Sequence, residues 1–239
     1  MEILKIEGLN KFFGKRWVLK DVNLSFYKGE ISVITGPNAS GKSTFLKCLL
    51  GLVIPSSGKI RFNGEDIIGK SMYRRYFGYM PQNPSFPLSL TPRDIFELMV
   101  EIYGKDRVEE PERYIERFSL GDHWKRPIGT LSGGTRQKVN AVLALSVKAE
   151  VYLLDEPTSS LDPKSSIILK EEILKKKREG SCIILVTHII PSVEYLADNL
   201  VYFLDGRVRF SGRVKDLKLV TRESNLEGAI AKIEDVENI

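Results

Sequence analysis

The stretch Gly36-Pro37-Asn38-Ala39-Ser40-Gly41-Lys42-Ser43-Thr44 decides the fold. It has the form G-x-x-x-x-G-K-S, and its glycines and small residues let consecutive backbone N–H groups face one concavity. That concavity fits the oxygens of a di- or triphosphate, and a helix starting there adds its positive N-terminal end. Lys42 would reach the β- and γ-phosphates as a point charge, and the Ser43 hydroxyl would ligate Mg²⁺. Such a loop needs a strand before it and a helix after it. Ile31-Ser32-Val33-Ile34-Thr35 supplies the first, and Phe45-Leu46-Lys47-Cys48-Leu49-Leu50 carries the second.

Outward from the loop, polar and apolar residues alternate over 21–26, as in a strand with one buried face. Residues 59–63 and 74–81 read as further short strands. Thr91, Pro92 and Asp94 then mark a helix start. Ile95, Leu98, Met99 and Ile102 follow at i, i+3, i+4 and i+7, which predicts a buried stripe ending at Gly104. Tyr114, Ile115 and Phe118 indicate a second amphipathic helix. Residues 151–154 and 182–186 are unbroken apolar runs, as in parallel strands covered on both faces. Asp162-Pro163 and Gly180 bracket the helix between them. Asp205-Gly206 reads as a hairpin turn. Ser224 and Glu227 read as a capping box for a last short helix. The pattern is an α/β core interrupted by a helical insertion at about residues 83–149.

The loop also needs a carboxylate. Asp155 ends the apolar run 151–154 and would hold charge beside a metal, while its neighbour Glu156 could face an attacking water as general base. Without the phosphate loop, the two would read as ordinary solvated acids. His188 ends the run 182–186, and strand C-termini of α/β sheets form the ligand crevice. His123 lacks such support and reads as structural. Ser132, Gly133, Gly134 and Thr135 head a helix running through Val139 and Val142. They offer a second anion site, or simply a glycine-rich cap.

Composition bounds the rest. The chain has 239 residues, 42% hydrophobic and 28% charged, with a net charge of +5. No apolar run reaches the length needed to span a bilayer, and the N-terminal residues lack a signal-peptide pattern. Cys48 and Cys182 sit in apolar segments and read as buried free thiols. A cytoplasmic location is expected. The Lys and Arg residues are spread along the chain, so a solvated surface is expected and no nucleic-acid partner.

Taken together, GPNASGKST, the Gln82 of MPQNP, LSGGT, VYLLDEP, SSLD and the His188 of VTHII resemble, in order, the motifs of an ABC-type ATPase domain over residues 11–212. The resemblance implies the ABC-ATPase P-loop fold, with a mainly parallel core sheet, an N-terminal antiparallel β subdomain and a helical subdomain. The implied division is a nucleotide-binding core at 1–82 and 150–212, a helical subdomain at 83–149 and a C-terminal helical tail at 213–239. It also implies roles. Residues 36–44 hold the phosphates of ATP, and Lys42, Glu156 and His188 are catalytic. Ser43, Gln82 and Asp155 serve Mg²⁺. Phe13 stacks on adenine, with Val18 beside it. Ser132, Gly133, Gly134 and Thr135 contact the ATP of an opposite subunit in a homodimer or heterodimer, and 159–162 cross that interface.

The sequence departs from the family pattern at three points. Ala39 stands where glycine is usual and is tolerable if φ there is not positive. Thr135 replaces a common glutamine, and Phe13 replaces tyrosine. The implied partner is an integral-membrane transport subunit, docked through residues 83–91 with Phe86 and Leu88 exposed; the competing expectation folds Phe86 back onto the helical block. Residues 90–104 and 226–230 are similar to those of ABC-2-type exporters. The alternative is an ABC ATPase without a membrane partner, as in iron–sulphur assembly.

Overall fold

The computed structural model describes residues 1–192 and 194–235. Its strands are β1 (Glu2–Phe13), β2 (Arg16–Tyr27), β3 (Ile31–Thr35), β4 (Ser57–Phe62), β5 (Glu65–Asp66), β6 (Phe77–Met80), β7 (Val151–Asp155), β8 (Cys182–Val186), β9 (Asn199–Leu204) and β10 (Arg207–Arg213). The helices are α1 (Lys42–Leu49), α2 (Pro92–Tyr103), α3 (Glu112–Arg117), α4 (Gly133–Ser146), α5 (Pro163–Arg178), α6 (Val214–Thr221) and α7 (Leu226–Asp235).

Two sheets organise the chain. A six-stranded sheet has the order β10-β9-β3-β8-β7-β6, parallel except at the β9–β10 hairpin. A four-stranded antiparallel sheet has the order β2-β1-β4-β5. β3, β7 and β8 are buried at every position, which explains their unbroken apolar sequence. Successive side chains alternate between two cores. Ile34, Leu153 and Ile184 pack with α1 and the antiparallel sheet, while Val33, Leu154 and Leu185 pack with the helical block. Asp205 (φ 49°) and Gly206 (φ 81°) make the tight β9–β10 turn.

The helix signals hold at the ends and fail on one face. Thr91 and Asp94 form a reciprocal capping box, and the Gly104 N–H closes α2 on Val100 O. The stripe read from Ile95, Leu98, Met99 and Ile102 is not the buried face, however: Leu98 is 46% exposed and Ile102 77%. Pro92 and Phe96 are buried instead, with Phe96 against Trp124 at a ring-centroid distance of 6.4 Å. Positions 92, 96, 99 and 103 have an equally good helical period, and tertiary packing chooses between the two stripes.

Other expectations are corrected in the same way. Phe86 packs against the helical-block core, so of the two expected apolar anchors only Leu88, 62% exposed, faces outward. Residues 74–76 lie in a 3₁₀ turn, Met72–Tyr76, and the strand starts at Phe77. Asn225, not Ser224, caps α7, its Oδ1 accepting from the Gly228 N–H at 2.7 Å. Helix α6 was not individually legible in the sequence. α6 and α7 grip the segment after His188, where Glu194 Oε1 pairs with Lys218 and accepts the Leu226 N–H (3.0 Å). Cys48 and Cys182 are buried free thiols, with burial pushing their pKa values up to about 11 and about 12. No helix among the described residues is long and apolar enough to cross a membrane.

Candidate active site

The phosphate loop sits between the end of β3 and the start of α1, and two of its glycines have no substitute. Gly36 has φ 141°, and a Cβ there would lie 2.0 Å from the Phe203 carbonyl oxygen. Gly41 has φ 110°, and its Cβ would lie 2.8 Å from Val18 O. Both demand a residue without a side chain. Ala39 does not meet the condition set for it: its φ is 63°, in the left-handed region where an alanine is disfavoured by about 1–2 kcal/mol. The loop is tied down at the next residue, where Ser40 O accepts from the Gly206 N–H (3.0 Å) and the Ser40 N–H bonds Pro37 O (3.3 Å).

Lys42 is buried, and its ammonium donates to Gly36 O (2.7 Å) and Pro37 O (2.8 Å), within the loop itself. Burial lowers its pKa, against the opposing pull of Glu156 and Asp155. Asp155, at the end of β7, has its pKa raised by burial and by the charge of Glu156, with Lys42 acting the other way.

Glu156 has φ 48° and a buried side chain. That turn carries its carboxylate across to the end of the neighbouring strand β8. Oε2 accepts from the Thr187 hydroxyl (2.9 Å), and Oε1 accepts from the His188 N–H (3.0 Å) and His188 Nδ1 (2.6 Å). Three bonds leave room for a fourth on a carboxylate with about four lone-pair sites.

These groups share one cleft of about 830 Å³. Phe13, Val18, residues 36–44, Gln82, Asp155, Glu156 and His188 all line it, joined by Arg16 and Val186. Val18 reaches the cleft at an irregularity in the β1–β2 ladder: Lys11 pairs with Leu19 and Phe12 with Trp17, so Val18 is the extra residue. Sequence reasoning missed Arg16, which has no motif of its own and is placed only by pairing opposite Phe13. It also missed Asn140 on α4, whose amide donates to Pro81 O (2.8 Å) beside Gln82. His123 lies outside the cleft, as expected.

A family model described as ABC transporter matches residues 19–159. The chain belongs to the ABC transporter family. The lantibiotic transport ATP-binding protein SrtF of Streptococcus pyogenes is 34% identical over 208 residues, covering 86% of this chain and 89% of that protein. A phosphate import ATP-binding protein, PstB 2 of Lactiplantibacillus plantarum, also matches, at 33% over 222 residues (86% and 88% covered). Among solved structures, an ATP-binding subunit of an ABC transporter superposes with a TM-score of 0.90 at 30% identity, covering 97% of this chain and 99% of that one. The ATP-binding cassette MJ0796, dimeric in a post-hydrolysis state with ADP and Pi, gives 0.79 at 25% identity (88% and 98% covered). This chain is therefore an ATPase subunit of an ABC transporter, with the ABC cassette fold.

Within this ABC cassette, Ser132, Gly133, Gly134 and Thr135 do not line the cleft. They open α4, where Ser132 Oγ accepts the Thr135 N–H (3.2 Å) and hydrogen-bonds Thr135 Oγ1 (2.8 Å). The threonine in place of glutamine thus closes onto the N-cap. A Cβ on Gly134 would lie 3.2 Å from Ser160 O, so the start of α4 and residues 159–162 of the same chain lie side by side. Lys138 pairs with Asp162 there (2.7 Å).

Proposed function

We propose that the cleft binds ATP with Mg²⁺ and that two chains close head to tail around two nucleotides, driving transport through a separate integral-membrane subunit. The observation that carries this reading is the convergence of Lys42, Asp155, Glu156 and His188, from three strand ends, on the cleft floored by the phosphate loop. The adenine stacks on Phe13 with Val18 beside it. The backbone N–H groups of 36–44 and the Lys42 ammonium, released from its own loop carbonyls, receive the phosphates.

The donor set fits Mg²⁺. Ser43, Gln82 and Asp155 offer hard oxygens with a single carboxylate, suited to a cation that keeps waters and phosphate oxygens as its remaining ligands. Bound there, the ion would neutralise charge on the β- and γ-phosphate oxygens. Glu156 takes a proton from the water as its oxygen bonds to the γ-phosphorus and the bond to the β–γ bridging oxygen breaks, giving ADP and phosphate. His188 and Thr187 hold the carboxylate in place for that transfer. Ser132, Gly133, Gly134 and Thr135 lie outside the cleft of their own chain and present a helix N-terminus to the γ-phosphate of the partner's ATP. In a two-fold arrangement both cassettes satisfy this condition at once.

The partner holds the subunit at the inner face of the membrane, on the surface around Leu88. Residues 90–104 and 226–230 support export as the direction.

The test is Glu156→Gln. The variant should bind ATP with near-native affinity, lose hydrolysis, and elute as a dimer on size exclusion with ATP and as a monomer without it. Native turnover in Glu156→Gln would remove Glu156 as the base.

A further inference from the structure

The ring assigned to adenine stacking stands beside the turn of the β1–β2 hairpin, where Phe13 pairs with Arg16, and Phe13 is 51% exposed. A phenyl ring there, without the hydroxyl of a tyrosine to anchor it, has little of its own to fix its plane. The structure supplies a support from the same strand. Lys11 is two residues away, on the same face. Its ammonium lies 4.7 Å from the Phe13 ring centroid. That ammonium also donates to Ile54 O (2.8 Å), in the segment that follows α1. Lys11 does not line the nucleotide cleft, whereas Phe13, Arg16 and Val18 do.

We propose that Lys11 is a positioning residue for base binding: tethered to Ile54 O, it backs the outer face of the Phe13 ring and leaves the inner face to the adenine. The proposal rests on Phe13 being the stacking ring. Two physical effects follow from the geometry. The cation holds the ring through its quadrupole, so less side-chain freedom is lost when the base arrives. It also draws π-density toward the outer face, which favours an electron-rich base on the inner one. Lys11 acts on the base alone, through the ring, and not on the phosphates or on the chemical step.

The experiment measures KM and kcat for ATP hydrolysis in Lys11→Met, Lys11→Arg, Phe13→Ala and the Lys11→Met/Phe13→Ala double variant. Inhibition by inorganic tripolyphosphate serves as a base-free probe. Lys11→Met should raise KM about two- to fivefold, the scale of an exposed cation–π contact, with kcat within about twofold of native. Lys11→Arg should restore KM. In the Phe13→Ala background Lys11→Met should add nothing, and tripolyphosphate inhibition should be the same in all four. A KM effect that persists without Phe13, or a loss of tripolyphosphate inhibition, would make Lys11 a general phosphate attractor and overturn the proposal. Native KM in Lys11→Met, with Phe13→Ala impaired, would overturn the Lys11 role alone. Native KM in Phe13→Ala would remove the stacking assignment and this proposal with it.

Discussion

Asp155 is buried next to a second acid, and its pKa is raised above the ordinary value of 3.8. An acid with a raised folded-state pKa is neutral in both states at low pH. As pH rises from the unfolded value through the folded one, ionisation is easier in the unfolded chain, and the stability it contributes is lost. Asp155→Asn should therefore raise the unfolding midpoint of the nucleotide-free protein at neutral pH, by a margin that shrinks as pH falls toward 3.8, while abolishing hydrolysis. A thermal-unfolding series against pH reads this directly; a lower midpoint for the variant at neutral pH contradicts it. Part of the backbone strain lies at the same place. Ala39, Glu156 and Ser160 are non-glycine residues with φ of 63°, 48° and 64°, all at or beside the nucleotide machinery. Most of the cleft residues were legible because they sit in motifs with a fixed chemical demand; Arg16 and Val186, on which no such demand falls, were not. Nor was the positive φ at Ala39, because a backbone angle leaves no mark in the residue type, and one contact that holds the loop, Gly206 N–H on Ser40 O, comes from more than 160 residues away.

At the scale of elements, the fully buried strands were legible and the helix faces were not. A strand covered on both sides, such as β7 or β8, must be apolar throughout, whatever packs on it. Helix α2 carries two overlapping stripes of equal period, and the one through Phe96 packs into the core that holds Trp124, folded in from beyond α3. The consequence is an exposed apolar edge formed by Leu98 and Ile102, with Leu88 exposed in the preceding segment. Its role can be separated from that of the buried stripe. Leu88→Asp, Leu98→Asp and Ile102→Ser together should shift the free energy of unfolding by no more than about 0.5 kcal/mol per site and leave basal hydrolysis intact. They should abolish co-purification with the proposed membrane subunit. Phe96→Ala should instead lower unfolding stability by about 3–5 kcal/mol. Retained co-purification in the triple variant would place the docking surface elsewhere.

At the scale of the whole molecule, the order of strands in the large sheet was out of reach of local patterns. Adjacent apolar runs do not say which of them pair. β3, which carries the phosphate loop, lies between β8 and β9, so both its neighbours come from the last third of the chain. Phe203 O backs Gly36, and the Gly206 N–H holds Ser40 O. During synthesis, then, the ribosome delivers the phosphate loop early, and the nascent chain carries it without its β8 and β9 neighbours until residues 182–206 have left the exit tunnel. Ribosome-bound chains stalled with residue 178 as the last one exposed should show no protection from protease by ATP, and chains exposing all 239 residues should show it. Protection at the shorter length would mean that β1, β2 and α1 support the loop unaided. On the topology seen here, a motif translated early becomes competent to hold nucleotide only after strands about 140 or more residues downstream of it have emerged.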